Sequence, residues 1–271
     1  MAILGCMRTV RAELAYDGSK FYGWQRQDGF GSVQAAVEEA LQGLLGEVVC
    51  VNGAGRTDTG VHALRQVAHF HVQTRLEDGP LRHAINAHLD RSVVVTRLES
   101  CRDDFHARFD SRGKRYVYLV RTARFRPPHG HEYSHWVSQP LDLVAMRQGA
   151  RAFLGRHDFH AFGNTGSERK TTVRSIEHSR IVARRDWFAY VVQGDGFLYN
   201  MVRTMVGTLL DVGRGKLAPD AIERALASGQ RDDAGATAPA QGLYLARVLY
   251  SEPIFLGRDR GPRGVPGLYQ Y

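Results

Sequence analysis

The sequence predicts an α+β protein built from two ferredoxin-like halves, in which antiparallel sheets pack against helices. Two observations support this fold class. Residues 1–105 and residues 106–250 contain strand and helix patterns in a similar order, without obvious repetition of sequence between them. In the first half that order is β-α-β-β-α-β, which is the split βαβ arrangement.

The first half contains four strand patterns and two helix patterns. Strand-like apolar patterns lie over residues 8–17, 48–54, 65–73 and 92–100. Ser32 is a typical helix-capping residue, and the apolar side chains from Val33 to Leu45 recur at helical spacing, which predicts a first helix. A second, short helix is predicted over residues 80–89.

The second half shows the same order with one insertion. Strands are predicted over residues 114–122, 171–185, 187–194 and 242–250, and helices over residues 142–155, 197–213 and 218–229. The second and third of these strands form a long hairpin that turns at residues 184–186, and the last helix is the insertion. Residues 251–271 are rich in Gly, Pro and Arg, which predicts a separate, mobile tail.

Composition indicates an anionic partner. The net charge is +8, and 32 of the 36 basic residues are arginine, whose planar guanidinium suits phosphate and stacks on bases. A GC-rich genome would also favour arginine over lysine, but it explains the net charge less well. The three cysteines are widely spaced and form no disulfide framework, which favours a cytoplasmic protein, and no apolar run is long enough to span a membrane.

The stretch AGRTDTGVHA, residues 54–63, is the first candidate for chemistry. It joins two predicted strands and places Asp58 between two threonines and two glycines. One interpretation is an ordinary turn, because Asp and Thr bind their own backbone and Gly accepts unusual dihedral angles. The other is a nucleophile or base held on a rigid turn, with Arg56 nearby. The glycine spacing matches neither a Walker loop nor a dinucleotide fingerprint.

Three further stretches carry aromatic and basic side chains. Residues 16–27 interleave four aromatic residues with Lys20 and Arg26, which suits either base stacking or packing over a sheet end. Residues 103–120 place Arg108 and Arg115 ahead of two tyrosines that share one strand face, Tyr116 and Tyr118. Arg203 lies in an otherwise apolar helix, where it must find a carboxylate or extend to solvent. The scattered histidines lack any recognised metal-ligand spacing, so no metal site is expected.

Together these stretches resemble the bacterial tRNA pseudouridine synthase I (TruA) family. The motifs are YDGSKFYGWQRQ, AGRTDTGVHA, FHARFDSRGKRYVY, MVRTMVGTLLDVG and ATAPAQGLYL, in the family's order over residues 16–246. One small departure is Thr59, where many relatives have Ala. The resemblance implies a homodimer that converts uridine to pseudouridine at positions 38, 39 and 40 of the tRNA anticodon stem-loop, without metal or cofactor.

The resemblance also implies roles for individual residues. Asp58 is the catalytic carboxylate, Arg203 its ion-pair partner, Tyr116 the aromatic ring that stacks on the target base, and Leu243 an apolar wall of the uracil pocket. Since Asp58 and Arg203 lie in different halves, the active site is expected in a cleft between the halves. Lys20, Arg26, Arg56, Arg108 and Arg115 are the expected phosphate-binding and substrate-binding residues.

Two other classes of function are weighed against this one. A non-catalytic RNA-binding protein with paired ferredoxin-like modules would share the fold and the charge, but it has no use for a carboxylate aimed at anionic RNA. A hydrolase of phosphate esters or nucleosides would need metal ligands or a second carboxylate, which these motifs lack. The sequence does not indicate which tRNAs are substrates, or whether the Asp attacks the sugar or removes its 2′ proton.

Overall fold

The computed structural model describes residues 6–163, 171–218 and 220–256. Within these residues the chain is a mixed α/β protein with ten β-strands and five α-helices. They divide into two compact units. Unit 1 comprises described residues 6–112 and 245–256, and unit 2 comprises those between 113 and 244. Most of the predicted tail, residues 257–271, lies outside the described residues.

Unit 1 contains the predicted order of elements, which is therefore confirmed. The elements are β1 (Met7–Tyr16), α1 (Val33–Leu45), β2 (Asn52–Gly53), β3 (His62–Gln73), α2 (Asp78–His88) and β4 (Val93–Cys101). Strand β1 lies between β4 and β3 and is antiparallel to both. Strand β2 pairs with β3.

Strand β2 is much shorter than the seven-residue pattern predicted. Only Asn52 and Gly53 pair with β3. The backbone of Val51 is instead bound by side chains of α1: its N–H donates to Glu38 Oε1 at 3.0 Å, and its carbonyl accepts from Gln34 Nε2 at 3.1 Å. The apolar pattern correctly predicted burial, since Val51 is 1% exposed. Its backbone N–H and carbonyl, however, bind side chains of α1 instead of the backbone of a neighbouring strand.

Helix α1 begins and ends as its sequence predicts. Ser32 Oγ accepts the N–H of Ala35 at 3.1 Å, which satisfies one of the free donors of the first turn. Val33, Val37 and Leu41 recur on one face and are almost fully buried. This apolar face packs the helix into the core of unit 1 and fixes the loop that precedes Ser32.

Unit 2 contains eight elements from β5 to α5. They are β5 (Ser111–Thr122), β6 (His135–Val137), α3 (Leu143–Ala152), β7 (Gly155–Asp158), β8 (Val173–Ala183), β9 (Trp187–Gly194), α4 (Met201–Gly213) and α5 (Ala221–Ser228). The strand order is β5-β9-β8-β7, and the predicted hairpin is confirmed, closed by the Arg184 N–H to the Trp187 carbonyl at 2.8 Å. Strands β6 and β7 were not predicted, because three and four residues are too few to show a pattern.

Helix α4 is the most buried helix of unit 2. Every residue from Met201 to Gly213 is buried except Arg203 and Asp211. The last strand, β10 (Leu243–Tyr250), begins in unit 2 and continues into unit 1 from Leu245. The division into ferredoxin-like halves, and the limits at residues 105 and 250, stay predictions. No helix in the described ranges has the length and apolar character needed to cross a membrane.

Candidate active site

Asp58 occupies a tight turn between β2 and β3. The Val61 N–H donates to the Asp58 carbonyl at 3.1 Å, which closes the turn. Gly60 has a φ of 78°, a conformation that L side chains rarely adopt. The turn interpretation of this motif is therefore correct for the backbone, and it leaves open what the half-buried carboxylate does.

The loop before α1 packs backbone to backbone against this turn. The Phe21 carbonyl accepts from the Gly60 N–H at 3.4 Å, and the Trp24 N–H donates to the Thr57 carbonyl at 3.1 Å. Between them lies Gly23, with a φ of 89°. A Cβ atom on Gly23 would approach the Thr57 carbonyl oxygen to 2.7 Å, so only glycine allows this contact.

A buried hydrogen bond anchors the residue that precedes Asp58. The hydroxyls of Tyr16 and Thr57 lie 2.8 Å apart, and both side chains are nearly inaccessible to solvent. Burial raises the pKa of Tyr16, which keeps the phenol neutral and able to donate. The backbone on the N-terminal side of Asp58 is thus tied to the end of β1.

A second buried group holds the other side of the turn. His62 is 2% exposed, and its Nδ1 lies 3.1 Å from the Gly18 N–H and 3.2 Å from Asp17 Oδ1. Gly18 itself lies against the backbone of Val61, where a Cβ atom would clash. The Asp58 turn is therefore fixed from both sides by residues of unit 1.

The predicted phosphate-binding residues of unit 1 fall into two groups. Lys20, Arg56 and Arg108 are exposed; Arg56 Nε donates to Gln25 Oε1 at 3.0 Å, and the Arg108 guanidinium lies 5.8 Å from the ring centre of Phe109. Arg26 is also exposed, but its Nε lies 2.7 Å from a carboxylate oxygen of Glu38 on α1. This ion pair gives Arg26 a structural role that the sequence pattern did not indicate.

Arg203 is oriented by neutral oxygens of unit 2. Its Nε donates to the Ala238 carbonyl at 2.7 Å, and its Nη1 donates to Asn200 Oδ1 at 2.8 Å. The Ala238 N–H returns a bond to the Arg203 carbonyl at 3.0 Å. The two side-chain bonds fix the direction of a half-buried guanidinium, which is the property that an electrostatic role requires, and the backbone bond ties Ala238 to α4.

The same segment of unit 2 carries Leu243. The Tyr118 hydroxyl donates to the Pro239 carbonyl at 2.7 Å, and its ring packs so closely on Gly242 that a Cβ there would lie 2.6 Å from Tyr118 Cζ. Leu243 follows at 5% exposure. Burial raises the pKa of Tyr118 and the positive charge of Arg203 opposes that rise. Arg203, through its bond to Ala238, and Leu243 are thus both connected to the segment from Ala238 to Leu243.

Tyr116 lies two residues before Tyr118 on β5 and therefore faces the same side of that strand. It is 7% exposed, and its ring packs edge to face on Phe197 with centroids 5.1 Å apart. The neighbouring Arg115 binds Gln193 Oε1 through its Nε at 2.9 Å and its Nη2 at 2.6 Å. The structure thus places Tyr116, Arg115, Arg203 and Leu243 in unit 2, and Asp58 with the other predicted basic residues in unit 1.

One residue of the site escaped the sequence analysis. Asn200 precedes α4 with a φ of 61°, the only non-glycine residue with a positive φ in the described ranges, and it binds Arg203. Its signal was available in principle, because Asn is enriched in this conformation and often stands at helix ends. Nothing in the pattern, however, linked its amide to the guanidinium three residues later.

Three of the twelve histidines, His69, His71 and His106, lie close together. His69 is 5% exposed and its Nδ1 accepts the Ala107 N–H at 3.2 Å. Burial, with His106 and His71 nearby, lowers the pKa of His69 to about 4, so the ring is neutral near pH 7. Across residues 6–163, 171–218 and 220–256, no group of three or more His, Cys, Asp or Glu side chains could hold a metal ion.

Comparison with known proteins shows which family this chain matches. The "tRNA pseudouridine synthase" family matches residues 12–110 and 150–251, which include the Asp58 turn and the Arg203 segment. A protein named tRNA pseudouridine synthase A from Acetivibrio thermocellus is 43% identical over 244 residues, covering 90% of this chain and 100% of the relative. Another of that name from Syntrophotalea carbinolica is 44% identical over 245 residues, covering 90% and 97%.

Among solved structures, a chain of the Cbf5–Nop10–Gar1 complex aligns with 12% identity and a TM-score of 0.34, covering 89% of this chain and 60% of that one. This likeness is too distant to bear on the fold. The family match and the two relatives agree with each other and span both motif-bearing regions. The chain therefore belongs to the tRNA pseudouridine synthase family.

Proposed function

We propose that this chain isomerises uridine to pseudouridine at positions 38, 39 and 40 in the anticodon stem-loop of tRNA, with Asp58 as the essential carboxylate. The observation that carries the proposal is the Asp58 turn, which lies inside the matched region and is anchored on both sides by buried contacts. Such rigid support is what a group that must meet one sugar carbon requires.

The reaction requires only rearrangement of the substrate's own atoms. The bond from C1′ to N1 breaks, the uracil turns, a bond from C1′ to C5 forms, and the proton on C5 is lost while N1 gains one. An ionised Asp58 either attacks C1′ or removes the 2′ proton to give a glycal. Both routes conserve atoms and electrons, so the chemistry calls for no redox cofactor.

Three residues of unit 2 have proposed roles around the target base. Tyr116 stacks on the uracil, and its hydroxyl is a candidate proton relay at C5. Leu243 forms an apolar wall, and Arg203 is the ion-pair partner that favours the charged form of Asp58. The fixed orientation of the Arg203 guanidinium and the buried support of Tyr116 by Phe197 favour these assignments.

The target uridine must leave its stack to be reached, which costs a few kcal/mol. Lys20, Arg56 and Arg108 are exposed and suited to hold phosphates. Arg26 pairs with the carboxylate of Glu38, and Arg115 binds Gln193 through two of its nitrogens, whereas Arg56 uses only its Nε on Gln25. We therefore assign Arg26 and Arg115 a supporting role in RNA binding. A homodimer, paired ferredoxin-like halves and a cytoplasmic location complete the proposal.

Tritium release tests the isomerisation itself. An unmodified tRNA transcript labelled with tritium at uracil C5 should lose label to water when incubated with the protein, because C5 exchanges its hydrogen for the C1′ bond. Stable binding of that transcript without release of tritium would contradict the proposal and favour the non-catalytic RNA-binding alternative.

A further inference from the structure

Two aromatic side chains beside the Asp58 turn are exposed. Tyr22 is 55% and Phe30 is 51% accessible to solvent, although their ring centroids lie only 4.9 Å apart. Trp24, in the same loop, is 2% exposed and packs on Gly53. The loop therefore buries one aromatic ring for stability and presents two others, which we call the Tyr22–Phe30 pair.

The Tyr22–Phe30 pair is built into its loop by backbone bonds. The Tyr22 N–H donates to the Gly31 carbonyl at 2.9 Å, and the Phe30 N–H donates to the Gln27 carbonyl at 3.3 Å. The second bond closes a small hairpin that returns the chain to α1. The backbone that carries both rings is thus fixed before any ligand arrives, which lowers the entropic cost of binding one.

Tyr22 lies in the segment that packs on the Asp58 turn. Tyr22 lies between Phe21, whose carbonyl accepts from Gly60, and Trp24, whose N–H donates to Thr57. The next residue, Gly23, packs on the backbone of Thr57 and Asp58. The backbone that carries the Tyr22 ring is therefore packed against the backbone of the Asp58 turn.

The surroundings indicate what kind of ligand fits. The hairpin and the first turn of α1 border a cavity of about 370 Å³, which Phe21 and Phe30 help to line. The N–H groups of Val33, Gln34 and Ala35 already have protein acceptors, so the helix start is not an anion site. The cavity is also lined by the carboxylates of Asp28 and Glu39, which disfavour a phosphate group there. The two exposed rings therefore offer their faces to a base, and the exposed cations Lys20 and Arg56 lie in the segments on either side.

We propose that, when the target uridine is at position 38 or 39, the loop nucleotide on its 5′ side stacks on the Tyr22–Phe30 pair. The inference rests on the proposed function. When the target flips, its neighbour in the anticodon loop loses a stacking partner, and an exposed aromatic pair beside the reacting group replaces that partner. Ring faces accept any base, while nearby cations hold the backbone, so the contact tolerates different tRNA sequences.

Removal of the rings provides the first test. Tyr22→Ala and the double variant Tyr22→Ala/Phe30→Ala should weaken binding of unmodified tRNA by roughly 5- to 100-fold, the range for loss of base stacking. Tyr22→Phe should bind like the wild type. The dependence of affinity on salt should stay unchanged in all three variants, because no ionic contact is lost. Phe125→Ala, which removes a 74% exposed ring of unit 2, is the matched control and should bind normally.

A change in the RNA provides the second test. Abasic nucleotides are placed one at a time in the anticodon loop 5′ of the target. When the abasic nucleotide is at the stacked position, the wild-type protein should bind the abasic tRNA more weakly than intact tRNA. The size of this loss should equal the loss that the double variant shows on intact tRNA. The double variant should lose little more on that abasic tRNA. If the effects of the double variant and of the abasic nucleotide multiply at every position tested, the two act independently, and the inference is overturned.

Other outcomes separate this inference from the function on which it rests. Wild-type protein that releases no tritium from tRNA would overturn the proposed function itself. Wild-type activity together with full affinity and rate in the double variant would overturn only the stacking role. An altered mass in solution with unchanged tRNA affinity would instead assign the pair to a contact between copies, and also overturns the inference.

Discussion

Asp58 and Arg203 are both charged residues assigned to the reaction, but the two units hold them in different ways. Asp58 in unit 1 is placed by its backbone, through Gly60, Val61 and the contact of Gly23 with the turn. Arg203 in unit 2 is placed by bonds to the guanidinium itself, from the Ala238 carbonyl and Asn200 Oδ1.

The difference reflects the two side chains. An aspartate has one short stem, so fixing its backbone nearly fixes its carboxylate. An arginine has a long, flexible stem and carries about 2 kcal/mol of rotamer entropy, so its head needs partners of its own. The comparison predicts that unit 1 is sensitive to changes at glycines and unit 2 to changes at hydrogen-bonding side chains.

The largest effect is expected at Asp58. Asp58→Asn keeps the size of the side chain and the turn but removes the reacting charge, so the rate of isomerisation should fall by roughly 10³-fold or more. Affinity for tRNA should stay within a fewfold of the wild type. Asp104→Asn, an exposed carboxylate of the same unit, is the control and should remain active. A residual Asp58→Asn rate within tenfold of the wild type would revive the interpretation of this motif as a turn only.

Arg203→Met should have the next largest effect, on the order of 10²-fold near neutral pH, the scale of one lost electrostatic stabiliser. Without the positive charge, Asp58 more readily holds a proton, so activity should recover in part as the pH rises. Arg203→Lys keeps a charge and should do less harm. An activity loss that is the same at every pH would count against the pairing with Asp58.

Gly23→Ala tests the support of Asp58 by its backbone. A Cβ at this position would lie 2.7 Å from the Thr57 carbonyl oxygen, so the turn must shift, and a shift of about 1 Å can cost about 10²-fold in rate. Gly46→Ala is a matched control, because Gly46 has a similar φ of 74° and nothing within 4 Å of an added Cβ. Equal rates for the two variants would show that backbone strain alone, and not the contact, matters.

The smallest effect is expected at Asn200. Asn200→Gly allows the φ of 61° freely while removing the acceptor for Arg203, so the change isolates one hydrogen bond. A hydrogen bond with one charged partner contributes about 1.5–3 kcal/mol. Because the bond to the Ala238 carbonyl still helps to orient the guanidinium, the loss should be smaller than this. The rate should fall about tenfold at most, and Asn200→Asp should restore it. No change in rate would show that Arg203 is oriented without Asn200 Oδ1.

Much of the fold was predictable because its elements are long and patterned. Helix α1 and the β8–β9 hairpin follow from apolar spacing and from Ser32 as a cap. Strands β6 and β7 were missed because they are too short to carry a pattern. Strand β2 was overestimated, because apolar residues such as Val51 can be buried while side chains of a helix bind their backbone.

The site was predictable at the level of motifs and not at the level of contacts. Asp58 stands out because glycines and threonines mark its turn. The sequence left open whether the aromatic residues of the loop before α1 pack over the sheet end or are available for base stacking. In the structure Trp24 is buried whereas Tyr22 is exposed, although both belong to this loop. The ion pair of Arg26 with Glu38 and the bond of Asn200 to Arg203 depend on how distant or irregular segments meet, which no local pattern records.

The most direct test of the account is to map the modified nucleotides. Unmodified tRNA transcripts with uridines in the anticodon stem-loop are incubated with wild-type protein, treated with carbodiimide and read by primer extension, which stops at pseudouridine. Stops at positions 38, 39 and 40, and none with Asp58→Asn, are the predicted result. Stops confined to other parts of the tRNA, or none with the wild type, would contradict the account.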